Sequence, residues 1–406
     1  MGKICERFQT PSMDKNIIQI KLISNESKYI ILYYSIMNPV LVKASEHHEL
    51  YEFTLAGINV SLANAIRRTI LNDIPTVVLG TEIYQDDRCK IEVNTGRLHN
   101  ELVKQRLSCI PVHIVDDKEM STFPDEYVVV VDVKNDTDTM MIVTTQDFKI
   151  KQKSGDKFMS KDEVISIFPP DPLTRDFIDF VRLRPKLGDN IQGEQIKLVC
   201  EFTISSAKTS GTYNVVSKCT YGYTPDIERA DDAWAIIQQN LAAEDTSKDE
   251  IEFQKRNFYL LDAQRYFVPD SFDFQIQTVG VFDNRLLLKK ACNILRGKLL
   301  DMHKGLESDI VPIKTSLTTV ENSYDVVLLD EDYTLGKVLE YILYEKYYKD
   351  QEILSFCGFK KFHPHDTEST IRMAYKEPVE KHILKQHLRD ACIMAAEVFE
   401  KMFGMF

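Results

Sequence analysis

The stretch Ser61-Leu62-Ala63-Asn64-Ala65-Ile66-Arg67-Arg68-Thr69-Ile70-Leu71 puts two different surfaces on one helix. At 3.6 residues per turn, Leu62, Ala63, Ile66, Thr69 and Ile70 share one side, and Asn64 and Arg68 stack a turn apart on the other with Arg67 on the flank. A stripe this narrow must be covered by another helix, so the chain has to supply or meet one. Ser61 is expected to cap the helix through its hydroxyl, and Pro75 to end it soon after Asn72.

A copy of the stretch lies in the last quarter of the chain. Residues 323–329 read as a strand, Asp330-Glu331-Asp332 favour the positive end of a following helix, and Thr334 is expected to cap it. Leu335, Val338, Leu339 and Ile342 form its stripe, and Leu335-Gly336-Lys337-Val338-Leu339 aligns with Leu62-Ala63-Asn64-Ala65-Ile66. Lys337 and Glu340 then stand where Asn64 and Arg67 stand in the first copy. Two long helices repeat as well: Asp283-Asn284 open one that buries Leu288, Ala291, Leu295 and Leu299, and the other buries Leu384, Leu388, Ala391, Ala395, Val398 and Met402. Leu288-Lys289-Lys290-Ala291-Cys292 is mirrored by Leu388-Arg389-Asp390-Ala391-Cys392. Strand, short helix and long helix therefore occur twice in the same order. Each half is expected to bury its helices against the other's in a four-helix seam of Leu62, Ile66, Ile70, Leu288, Leu295, Leu335, Val338, Leu339, Ile342, Leu384, Leu388 and Val398.

Between and around the copies the pattern is mostly strand-like: residues 17–23, 29–36, 50–60, 77–84 and 90–93, then a hairpin of 127–133 and 140–144 about Lys134-Asn135-Asp136, a polar loop at 149–157, and strands at 164–168, 177–184, 194–204, 212–221 and 272–281. Residues 226–261 read as an acidic connector with one surface helix, 233–241, which holds the only tryptophan.

Composition narrows the function classes. A net charge of −12 disfavours broad attachment to nucleic acid, which depends on Lys and Arg neutralising phosphates. The eight cysteines include no Cys-x-x-Cys pair, which argues against a zinc ribbon, and the lack of a signal peptide argues for free thiols in a reducing compartment. The most apolar run, 29–37, is far shorter than the roughly 20 residues of a membrane span, and Glu6 spoils a myristoylation signal at Met1-Gly2. No Gly-rich phosphate loop, nucleophile motif or Asp triplet is present, so no catalytic residue, metal or cofactor is expected; Asp270, Asp273 and Asp283 read as structural, as do Cys357, His363 and His365.

The motifs resemble those of the RNA polymerase assembly subunits: bacterial alpha, archaeal D and the eukaryotic third-largest subunit. These carry a strand, Leu-Ala-Asn-Ala-hydrophobic-Arg-Arg and a Pro-Thr turn, matched here by 51–55, 62–68 and Pro75-Thr76. A second signature is similar at Asn94-Thr95, Glu101, Arg106, Leu107, Ile110 and Pro111, with Asn100 and Gln105 departing from it, and Leu183–Asp189 resembles the family's Arg-Pro-Gly turn. The C-terminal half resembles the small partner, archaeal L or the eukaryotic eleventh subunit, through Glu331, Asp332, Thr334, Leu335, Gly336, Gly358, Phe359, His363 and Pro364, with Tyr333 and Lys337 departing. The whole is similar to the fused third/eleventh subunit of nucleocytoplasmic large DNA viruses.

That resemblance implies an α+β chain in which two alpha-like dimerisation modules pair through a helical seam, the first carrying a strand-rich insertion. The expected domains are 15–78 with 262–306, an insertion at 79–225, the connector at 226–261, and 319–406. It implies a non-catalytic assembly platform that docks the second-largest polymerase subunit through Asn64, Arg67, Arg68 and Arg106. Other core subunits, including a small tenth/twelfth-subunit-like protein, are further implied partners, with no membrane and no strong direct DNA binding. The location implied is virion and host cytoplasm for a viral protein and the nucleus otherwise. A nucleic-acid-binding module acting through the strand-rich segment is the alternative.

Overall fold

The computed structural model describes residues 37–81, 88–188, 190–244, 246–317 and 319–406. The strands expected at 17–23 and 29–36 lie outside the described residues, as does part of the one at 77–84.

The chain first makes an antiparallel hairpin of β1 (Val40–His47) and β2 (Leu50–Ala56). Its two turn residues, His48 and Glu49, have φ of 48° and 65°, the left-handed conformation that a two-residue loop demands. Tyr51, Phe53 and Leu55 point into the core from alternate positions of β2. The strand stops at Ala56 instead of running to Val60, because Gly57 turns the chain at φ +74°, where a Cβ would lie 2.2 Å from the Asn38 carbonyl oxygen. Helix α1 (Val60–Asn72) follows. Its cap is Asn59, not Ser61: the Asn59 side chain accepts from the Ser61 amide at 2.9 Å and hydroxyl at 2.7 Å.

A strand-rich segment comes next: β3 (Thr76–Leu79), β4 (Cys89–Asn94), α2 (Asn100–Ser108), α3 (Asp117–Glu126), β5 (Tyr127–Lys134), β6 (Met141–Thr144), β7 (Lys149–Gln152), α4 (Lys161–Ile167), β8 (Asp179–Leu183) and β9 (Gln195–Ser205). Strand β9 is its centre, pairing with β3, β4 and β5, and its Ile196, Leu198, Cys200 and Phe202 fill a local core. Several expectations give way here. Strands β5 and β6 do not pair with each other; buried Asn135 donates to the Thr139 and Leu183 carbonyls and accepts from Thr137, sending β6 to β8. The polar loop at 149–157 begins with β7, an edge strand on β5. Residues 164–167 belong to helix α4, with Phe168 as its C-cap, and the helix is nucleated by a capping box in which Ser160 and Glu163 satisfy each other's amides. Helix α3, capped by Asp116, was not anticipated at all.

The chain then returns through β10 (Val216–Pro225), the helices α5 (Ile227–Ala243) and α6 (Lys248–Leu260), β11 (Phe267–Thr278) and α7 (Asn284–Glu307). Strand β10, expected among the insertion strands at 212–221, pairs with β11 instead, giving a sheet in the order β1-β2-β11-β10. The acidic connector is a pair of helices, not a single surface helix.

The last part comprises β12 (Ile313–Thr315), β13 (Ser323–Leu329), α8 (Tyr333–Leu343) with a π-helical continuation over Tyr344–Asp350, β14 (Leu354–Lys360), β15 (Glu368–Tyr375) and α9 (Lys381–Phe403). Its sheet runs β12-β13-β15-β14, the same order as the first sheet. Strands β2 and β13 have equal length, and the spacing from Ala56 to the cap Asn59 equals that from Leu329 to the cap Asp332. Here too the cap is the residue two before the expected one: Asp332 accepts from the Thr334 amide at 2.8 Å. The long helices keep the register read from sequence, since Leu288, Ala291, Cys292, Leu295, Leu299 and Met302 are buried, as are Leu388, Ala391, Cys392, Ala395, Phe399 and Met402.

Helices α1, α7, α8 and α9 pack on one another, and one hydrophobic core draws on both copies. Every residue expected in the seam lies in that core, none more than 6% exposed. Burying each such Leu or Ile side chain contributes roughly 1.5–3 kcal/mol, so this core dominates the folding of residues 37–406. Helices α7 and α9 run antiparallel, with Arg296 paired to Glu400 and Glu307 to Arg389.

Candidate protein interface around helix α1

The polar face of α1 divides between two tasks. The Arg67 guanidinium donates from Nε and Nη2 to Asn64 Oδ1 at 3.1 and 2.9 Å, so the amide holds the arginine in place one turn away. The same guanidinium lies against β10, where its charge opposes the effect of burial that pushes the Cys219 thiol up to about 12. Both Asn64 and Arg67 remain half-exposed and present a fixed donor surface.

Arg68 is used differently. Its Nε donates to Thr334 Oγ1 at 2.8 Å and its Nη2 to Asp332 Oδ2 at 2.5 Å, so it sits on the N-terminal cap of α8. Asp332 thus serves its own helix with one oxygen and Arg68 with the other. Burial pushes the Asp332 carboxyl up, but the Thr334 amide and hydroxyl and the Arg68 guanidinium outweigh it and hold the group below the usual carboxylate range. A second junction lies beside the first. Lys298 of α7 reaches Asp73 at the end of α1 at 2.8 Å and Glu331 just before α8 at 3.4 Å. Burial pulls the Lys298 ammonium down, yet the hydrogen bond it donates to Asp73 and the charges of Glu331 and Asp73 leave it above the ordinary lysine value. For Glu331 burial wins, and its carboxyl is raised despite Lys298.

Arg106 extends from α2 to the carbonyl oxygens of Phe180 at 2.6 Å and Asp179 at 2.8 Å, fixing β8 to that helix. Of the four residues expected to dock a partner, then, Asn64 and Arg67 are joined into one surface, while Arg68 and Arg106 each commit Nε and Nη2 to partners within the chain. Asp73, Lys298, Glu331 and the capping role of Asp332 were missed. The sequence did hold a signal for Asp332, which precedes Thr334 by the spacing that separates Asn59 from Ser61.

The copy helix repeats the arrangement with other chemistry. Lys337 and Glu340 of α8 pair at 2.5 Å, and Glu340 also accepts from the Phe359 amide at 3.1 Å. Gly336 lies under the Phe359 ring, where a Cβ would come within 2.0 Å of Cε2. Cys357 on β14 directs its thiol toward the Glu340 carbonyl, while His363 Nδ1 accepts from the His365 amide at 3.2 Å. Among the described residues no group of three His, Cys, Asp or Glu side chains converges to hold a metal ion, and no helix is long and apolar enough to cross a membrane.

Residues 52–299 match the family model described as the RNA polymerase Rpb3/Rpb11 dimerisation domain, more than half of the chain. The chain belongs to this family. Asn64, Arg67, Arg68 and Arg106 fall inside the matched span, and residues 300–406, with α8 and α9, fall outside it. Among curated relatives, the conjugation stage-specific protein of Tetrahymena thermophila is 23% identical over 299 residues, which cover 64% of this chain and 92% of that protein. The DNA-directed RNA polymerase subunit Rpo3 of Methanothermobacter thermautotrophicus is 22% identical over 272 residues, 61% of this chain and 90% of that subunit. Rpo3 of Pyrococcus furiosus is 37% identical over 81 residues, 19% of this chain and 28% of the subunit. This Rpb3/Rpb11 family member is accordingly a mixed α/β protein related to polymerase subunits of the Rpo3 type.

Proposed function

We propose that this chain is a non-catalytic assembly platform of a multisubunit DNA-directed RNA polymerase, built as an intramolecular pseudo-heterodimer. The C-terminal half takes the part of the small eleventh-subunit-like partner, and the strand-rich segment is an insertion in the first module. The reading rests on the contact of Arg68 with the cap of α8, in which the motif of the first half grips the motif of the second. The common strand order of the two sheets supports it. Carrying both partners on one polypeptide makes their contact intramolecular and raises the effective concentration of each for the other.

The module docks the second-largest polymerase subunit through the Asn64/Arg67 surface. Arg suits this task because its planar fork binds carboxylates and carbonyl oxygens of a partner in two places at once. Arg68 and Arg106 hold the platform's shape from within. Other core subunits, including a small tenth/twelfth-subunit-like protein, then join the docked pair. Fusion of two subunits is the arrangement of large DNA virus polymerases, and on that reading the protein works in the virion and host cytoplasm.

Co-purification from the natural source tests the docking. Arg67→Ala is expected to leave the far-ultraviolet circular dichroism unchanged and to weaken recovery of the second-largest subunit at ordinary salt. Undiminished recovery with Asn64→Ala/Arg67→Ala would remove this face from the interface.

A further inference from the structure

Strands β3 and β4 pair with the same edge of β9, one after the other along its length. The backbone of Glu201 joins them: its carbonyl accepts from the Gly80 amide at 2.9 Å, and its amide donates to the Arg88 carbonyl at 3.0 Å. At this junction Cys89, the first residue of β4, stands directly opposite Cys200 of β9. Both side chains belong to the core of the strand-rich segment, at 2% and 0% exposure. The Cys200 thiol is directed toward the Gly80 carbonyl at 3.7 Å.

The hydrogen bonds define what kind of pair this is. Glu201 turns its amide and carbonyl to the edge shared by β3 and β4, so Cys200 meets Cys89 at a non-hydrogen-bonded position of the antiparallel ladder. Residues opposed at such positions stand about 4.5 Å apart at Cα with side chains on one face, inside the span of roughly 4.4–6.8 Å that a disulfide bridges. The other ladder cysteines have no such neighbour, since Cys219 faces Ile276 and Cys357 faces Met373. Buried thiols also pack as small apolar groups, and an oxidant tells the two roles apart.

We propose that Cys89 and Cys200 are a redox couple that closes a cross-strand disulfide when the chain meets hydrogen peroxide. The thiolate of Cys89 attacks a peroxide oxygen, the O–O bond breaks, and a sulfenic acid and one water are left. The Cys200 thiolate then attacks that sulfur, the S–S bond forms as the S–O bond breaks, and a second water leaves. In all, the two thiols give up two electrons and two protons, and the peroxide takes them. Cys89 goes first because it sits at a strand end, the part of a ladder that opens most readily. The bond encloses the chain from β4 to β9 and ties the strand that leads into α2 to the centre of its sheet. The inference stands independently of the assembly role.

The folded full chain is treated with hydrogen peroxide, its remaining thiols are blocked with N-ethylmaleimide, and a non-reducing digest is mapped by mass spectrometry. The expected result is a peptide joining Cys89 to Cys200 that dithiothreitol separates. The thermal midpoint of the linked chain is expected to rise by about 3 °C or more. Cys89→Ala and Cys200→Ala are each expected to abolish both the link and the rise, with circular dichroism to check their fold. The mapping of the unaltered chain needs neither variant. Cys89 and Cys200 both recovered as maleimide adducts, either one joined to a different cysteine, or a link formed only in denaturant would overturn the proposal. An unchanged or lowered midpoint in the linked chain would also overturn it, because the native ladder would then not be the place where the bond fits.

Discussion

Arg68 and Asp332 are 264 residues apart in sequence and 2.5 Å apart in space. The first ends the polar face of one short helix, and the second caps the other short helix. The contact fixes how the two helices meet, and it changes what Arg68 is for: a residue that looks free on a helical wheel is part of the internal junction.

Arg68→Ala is expected to destabilise the fold by about 1 kcal/mol. The figure is modest because the two side chains retain 27% and 37% of their exposure, so water screens the pair. A double-mutant cycle with Asp332→Ala in urea unfolding should give a coupling of about 0.5–1.5 kcal/mol. A coupling of zero would show that the contact contributes nothing to holding the helices together.

Acid should act on Glu331 and Asp332 in opposite senses. Glu331 has a raised carboxyl in the folded state, so its ionisation costs stability at neutral pH. That cost disappears as pH falls through its folded value toward the unfolded value of about 4.3. Asp332 has a lowered carboxyl, so its contribution is present above about pH 3.9 and is lost as pH falls through the lower folded value. Urea midpoints against pH, compared with wild type, should show Glu331→Gln removing a gain above pH 4.3 and Asp332→Asn removing a loss below about 3.9.

Gly336→Ala should destabilise the protein by about 1–3 kcal/mol although alanine is the better helix former, because the Phe359 ring occupies the space of the added methyl. Adding Phe359→Leu should recover part of the loss. Thermal unfolding of the two variants would show it.

Cleavage at an engineered protease site within residues 308–317 should leave the two pieces together, because the core of α1, α7, α8 and α9 does not depend on that connection. One peak on a sizing column under native conditions and two in denaturant is the expected result. Two peaks under native conditions would contradict the seam.

Periodicity in the sequence sufficed for the helices of the seam and for their duplication, since which residues share a helical face is set by 3.6 residues per turn and needs no knowledge of neighbours. Leu62, Ile66, Leu335, Val338, Leu388 and Val398 were therefore legible as buried before any partner was known. Local chemistry was legible only in part. The capping box at Ser160 and Glu163 was written in the sequence, and Asn59 and Asp332 took the caps assigned to Ser61 and Thr334 because their side-chain Oδ1 atoms reach the amide two residues on. Strand partners were decided by tertiary structure alone. An alternating strand can pair with any edge that buries its apolar face, and only the folded chain sends β6 to β8 and β10 to β11. The division of the α1 surface was decided in the same way. Sequence put Asn64, Arg67 and Arg68 on one helix, but whether a guanidinium faces outward depends on which carboxylate folding brings to it, and for Arg68 that group is Asp332, from the other end of the chain.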